Sequence, residues 1–82
     1  MPAARRVRVL VASGCHLCEA ALEVVQAVCP DEVVVVDIGG DPALEAAYRE
    51  RLPVVEVDGV ERFTFFVEPD ALREALERPA IR

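Results

Sequence analysis

Arg6-Val7-Arg8-Val9-Leu10-Val11-Ala12-Ser13-Gly14-Cys15-His16-Leu17-Cys18 is the stretch that decides the fold. Val7 to Val11, aliphatic but for Arg8, is a run of strand length, and Ser13-Gly14 is a turn pair. From Cys15 to Val28 the residues Leu17, Ala20, Ala21, Val24, Val25 and Val28 recur at helical spacing. A strand that turns directly into a helix, with two cysteines in C-x-x-C spacing at the junction, has the form of a thiol–disulfide redox site.

Outward from this junction the chain alternates short apolar runs with turn signals. Cys29-Pro30-Asp31 ends the first helix, because proline cannot continue it. Glu32 to Ile38 reads as a second strand, and its unbroken Val33–Val36 run predicts cover on both faces. Gly39-Gly40 breaks the chain, and Asp41-Pro42 supplies an N-cap and a first-turn proline. The helix they open runs to Arg49, with Leu44, Ala47 and Tyr48 facing inward. Pro53 to Val57 is a third strand, Asp58-Gly59 a hairpin turn, and Val60 to Phe66 a fourth strand with Phe63 and Phe65 on one face. Pro69-Asp70 opens a last helix with Ala71, Leu72, Ala75 and Leu76 as its buried stripe, and Pro79 stops it.

The order is β-α-β-α-β-β-α, an α/β class. The first two strands are joined through a helix and should be parallel with a right-handed crossover; the last two form an antiparallel hairpin. A four-stranded mixed sheet of order 2-1-3-4, flanked by helices on both faces, satisfies every connection. Eighty-two residues allow one domain, spanning 1–82.

Composition narrows the function. The net charge of −6, with arginines scattered along the chain, argues against nucleic acid as partner, since phosphate contacts need a basic stripe. No apolar run approaches the roughly 20 residues of a membrane span. The N-terminal Met1-Pro2-Ala3-Ala4-Arg5-Arg6 is not followed by a signal-peptide core, so a cytoplasmic location is expected. Three cysteines do not make a secreted disulfide framework.

At the start of a helix Cys15 meets free N–H groups and the positive end of the dipole, both of which favour thiolate. Cys18, one turn on and on the same side, is the natural resolving thiol. His16, if protonated, would further stabilise the Cys15 thiolate; read plainly, it is a solvent-facing residue. Cys15, Cys18 and His16 offer at most three of the four ligands of a structural zinc site, so no metal is expected in a monomer. Cys29, at the far end of the helix, reads as structural.

These residues resemble the glutaredoxin branch of the thioredoxin-like superfamily, and in particular the small bacterial glutaredoxin-like proteins. Two segments carry the resemblance: Cys15-His16-Leu17-Cys18 after the first strand, and Tyr48-Arg49-Glu50-Arg51-Leu52-Pro53-Val54-Val55 before the third. The resemblance implies a cis Leu52–Pro53 bond beside the dithiol, with the Leu52 backbone offered to an extended substrate. It implies Asp70 as an acidic group at the last helix start that would hold a glutathione amine, and glutathione as a candidate reductant, with no tightly bound cofactor. The chain departs from the family pattern in having His16-Leu17 between the cysteines and Phe66-Val67-Glu68-Pro69-Asp70 where glutaredoxins carry a Gly-Gly pair.

Two functions stay open. One is a dithiol oxidoreductase, expected as a monomer, exchanging with protein or small-molecule disulfides through Cys15 and Cys18. The other is a non-catalytic binding or redox-sensing module of the same fold, whose dithiol could hold a metal with a partner or respond to oxidant.

Overall fold

The computed structural model describes residues 6–77. Strand β1 (Val7–Val11) leads into helix α1 (His16–Val28), strand β2 (Val33–Asp37) into helix α2 (Pro42–Tyr48), and a 3₁₀ turn (Arg49–Arg51) into strand β3 (Val54–Val57). Strand β4 (Val60–Thr64) and helix α3 (Pro69–Glu77) complete the order. The sheet order is β2-β1-β3-β4, with β1 parallel to β2 and antiparallel to β3, and β4 antiparallel to β3. This is the mixed sheet expected from the sequence.

Period-two alternation along β1 builds two cores at once. Val7, Val9 and Val11 join Val55 and Val57 of β3 on one face, where Cys18, Ala21 and Val25 of α1 and Leu72 of α3 pack on them. Leu10 and Val54 point to the other face and meet Ile38, with Leu44 and Tyr48 of α2 lying over them. Arg8 and Glu56 pair across the strands at 3.0 Å, on the Leu10 face by the same alternation. Ala71, Leu72, Ala75 and Leu76 form the inward side of α3, as its spacing predicts.

Three expectations are corrected. None of Val33–Val36 is buried, and Val35 is 42 % exposed. A valine run reads as a doubly covered strand, but β2 is the sheet edge, where neither helix layer reaches fully. Ala47 and Ala20 are exposed rather than inward, since both helices turn a narrower face to the sheet than the count of small residues suggests. The second helix ends close to where expected, at Tyr48 with Arg49 as its C-cap, and Arg49–Arg51 tighten into the 3₁₀ turn. Strand β4 stops at Thr64: Phe65 has φ +68° and leaves the sheet, so Phe63 and Phe65 do not share a face. The expected stop at Pro79 and the N-terminal residues 1–5 lie outside the described residues.

Candidate active site

The β1–α1 junction is built by its own backbone. Gly14 has φ +75°, a conformation that glycine adopts without strain, and it delivers Cys15 in an extended conformation (φ −101°, ψ 107°) to the N-cap of α1. Cys15 is therefore the capping residue, and the helix proper begins at His16. The Glu19 N–H donates to the Cys15 carbonyl at 3.2 Å, closing the first turn. The Cys18 N–H donates to Cys15 Sγ at 3.2 Å, so sulfur takes the place that a serine or aspartate oxygen usually fills.

The two cysteine sulfurs lie close to disulfide distance, with Cα atoms 5.2 Å apart, within the span of disulfide-bonded pairs. Their exposures differ. Cys18 is 2 % exposed in the core beneath α1, whereas Cys15 is half-buried at the core's margin. Such an asymmetry suits exchange chemistry, which needs an outer sulfur open to a substrate and an inner one shielded from it.

His16 and Leu17 both face solvent, Leu17 at 37 % exposure. The Leu52–Pro53 bond is cis, and Pro53 is fully buried. Leu52 is extended and packs on both cores, the one that receives Cys15 and the one under α2. The Pro53 carbonyl accepts from the Phe65 N–H at 3.1 Å, tying the start of β3 to the end of β4. Asp70 is an exposed side chain on the first turn of α3, and Arg73 donates to it at 2.8 Å.

Between α1 and the β4–α3 segment runs a groove of about 190 Å³, lined by Ala20, Ala21, Val24, Phe65, Phe66, Val67 and Glu68. Here the acidic wall residue is Glu68 rather than Asp70. The groove was not anticipated from the sequence, although one signal was present. Adjacent residues of a strand face opposite ways, so Phe65 and Phe66 could not both have joined the core on which Phe63 packs. Among the described residues, no three His, Cys, Asp or Glu side chains gather where they could hold a metal ion.

The family model for a Glutaredoxin-like domain matches residues 6–77. An X-ray structure of the structural-genomics target protein XcR50 from X. campestris superposes with a TM-score of 0.75 at 28 % identity, covering 87 % of this chain and 95 % of that one. Its solution structure gives a TM-score of 0.73 at 28 % identity, covering 88 % and 92 %. The X-ray structure of Fasciola hepatica thioredoxin superposes with a TM-score of 0.52 at 25 % identity, covering 89 % and 80 %. No curated protein matches the chain.

Proposed function

The chain belongs to the Glutaredoxin-like domain family, and on that premise we propose that it is a thiol–disulfide oxidoreductase in which Cys15 attacks and Cys18 resolves. The observation that carries this reading is the unequal cysteine pair at the N-cap of α1, outer Cys15 against buried Cys18, at near-bonding separation.

In the reduced protein the α1 N–H groups and the helix dipole favour Cys15 as thiolate. That thiolate attacks one sulfur of a substrate disulfide. A Cys15–substrate bond forms, and the other substrate sulfur leaves as a thiolate and takes a proton. Cys18, deprotonated in turn, attacks Cys15 Sγ and expels the second substrate sulfur. The substrate gains two electrons and two protons, and Cys15–Cys18 is left as a disulfide. Two equivalents of a low-molecular-weight thiol, with glutathione the candidate, restore the dithiol and become a disulfide themselves. The backbone of Leu52, next to the buried Pro53, would align an extended substrate, and His16 would add positive charge beside Cys15 when protonated.

Turnover of bis(2-hydroxyethyl) disulfide tests the reading. Cys15→Ser should fall to the uncatalysed rate, and Cys18→Ser should accumulate a mixed disulfide visible in the intact mass. Wild-type turnover by Cys15→Ser would end it. Stoichiometric bound metal in purified protein that forms no Cys15–Cys18 disulfide at any redox poise would instead favour a binding module.

A further inference from the structure

Phe65 and Phe66 are 43 % and 73 % exposed, and Phe66 is the most exposed large apolar side chain among the described residues. Their presentation is built. The Phe66 N–H donates to the Thr64 carbonyl at 2.7 Å across Phe65, whose φ of +68° is one that bulky residues avoid. The Phe65 N–H is anchored on Pro53. The chain thus holds two phenyl rings outward at the cost of a strained turn, and such strain concentrates at ligand clamps and active sites.

This shelf is continuous with the dithiol. Ala20, Ala21 and Val24 form the opposite wall of the groove, and Ala21 lies one turn beyond Cys18 on the same helix. Leu17, between the two cysteines and also exposed, falls on the same side of α1 as Ala20, Ala21 and Val24. An apolar strip therefore runs from the redox site to the phenylalanines. At about 190 Å³ the groove is smaller than the roughly 300–1,000 Å³ of small-molecule sites, and it has room for one large side chain.

Charge narrows the occupant. Neither α1 nor the stretch 64–70 contains an arginine or lysine. Glu68 lines the groove, and Glu19 and Glu23 are exposed on α1. Asp70 is offset by Arg73 of its own helix.

We propose that the Phe65–Phe66 shelf and its groove dock an apolar side chain of a disulfide-bonded polypeptide, close in sequence to the cysteine that Cys15 attacks and flanked by basic residues. The proposal rests on the dithiol-exchange reading and names its substrate class. A small acidic disulfide such as oxidised glutathione would fill neither the groove nor the charge pattern.

The test compares kcat/KM for three substrates: a disulfide-linked peptide with Phe beside its cysteine and flanking Arg, the same peptide with Ser and Glu at those places, and bis(2-hydroxyethyl) disulfide. The first peptide should exceed the second by about tenfold or more, the equivalent of partial burial of one aromatic side chain. In Phe66→Ser the ratio of first peptide to bis(2-hydroxyethyl) disulfide should fall about tenfold, and in Glu68→Gln the advantage of the flanking Arg should shrink. Equal kcat/KM for the two peptides, or an unchanged ratio in Phe66→Ser, would overturn the docking surface while turnover of the small disulfide left the exchange chemistry intact. A second measurement is independent of turnover. In the Cys15→Ser/Cys18→Ser protein, the S-methylated Phe-Arg peptide should shift the amide resonances of Ala20, Phe65 and Phe66. Such shifts, together with wild-type protein that turned over none of the three disulfides, would sink the exchange reading and uphold the docking surface; absence of the shifts would sink the docking surface.

Discussion

Cys29 is buried at the C-terminal end of α1, where its thiol donates to the Val25 carbonyl at 3.3 Å. Burial pushes its pKa up, and the charge of Glu32 adds to the rise. Cys15 is the opposite case, half-buried, with its sulfur accepting from a helix N–H. Thiolate is the reactive form, so the two should separate cleanly. In reduced native protein at pH 8, iodoacetamide followed by peptide mass mapping should find Cys15 alkylated first and Cys29 modified only after denaturant is added. Equal labelling of Cys15 and Cys29 would show that burial does not protect the latter. The place of Cys29 at the helix end was legible from Pro30 after it, and its burial agrees with a structural reading. The burial of Cys18 beneath α1 was not, because C-x-x-C spacing puts both sulfurs on one side of a helix without saying which meets the core.

The elements end for reasons of two kinds. Helix α2 begins where its sequence says it should: Asp41 Oδ1 accepts from the Ala43 and Leu44 N–H groups at 3.1 and 3.2 Å, with Pro42 in the first turn. Asp58 and Gly59 both have positive φ, at 55° and 81°, which suits the tight hairpin between β3 and β4. Strand β4, by contrast, ends at an ordinary-looking Thr64-Phe65 step. Its pairing with β3 slips between Val55 and Glu56, so Val55 faces Phe63 while Glu56 faces Glu61, and the strand then leaves the sheet at Phe65. Glycine adopts the Phe65 backbone conformation without the Cβ penalty. Phe65→Gly should therefore be more stable than Phe65→Ala by about 1 kcal/mol, measured by urea denaturation. Alanine as the more stable of the two would mean that Phe65 is not held in the left-handed region.

Across the whole molecule, Arg6 clasps three parts of the chain distant in sequence. It donates from Nε and Nη2 to the Asp58 carboxylate at 3.0 and 2.9 Å, and from Nη1 to the Leu76 carbonyl at 3.0 Å, joining the entry to β1, the β3–β4 turn and the last turn of α3. The Arg6 hydrogen bonds hold the Asp58 carboxyl below its ordinary range. A lowered folded pKa means that this stabilisation is complete above the unfolded carboxylate value, near 3.9, and is lost as pH falls through the folded value. Asp58→Asn keeps a residue that tolerates positive φ and removes the charge. It should cost about 1–2 kcal/mol near pH 7, the pair being partly solvent-screened. The gap in Tm between variant and wild type should then narrow as pH drops below about 4; a pH-independent gap would show that the charge on Asp58 does not hold the clasp. By itself the sequence determined the order of elements, the strand order of the sheet and the cysteine pair at a helix start, because hydrophobic period, turn residues and C-x-x-C spacing are local signals that all agree. Only the tertiary structure decided that the Val33–Val36 strand is an edge, that Cys18 lies inside and Cys15 at the margin, and that Phe65 and Phe66 stand outward beside α1. Those outcomes depend on which surfaces the sheet and helices leave uncovered once packed, and no residue carries that information alone.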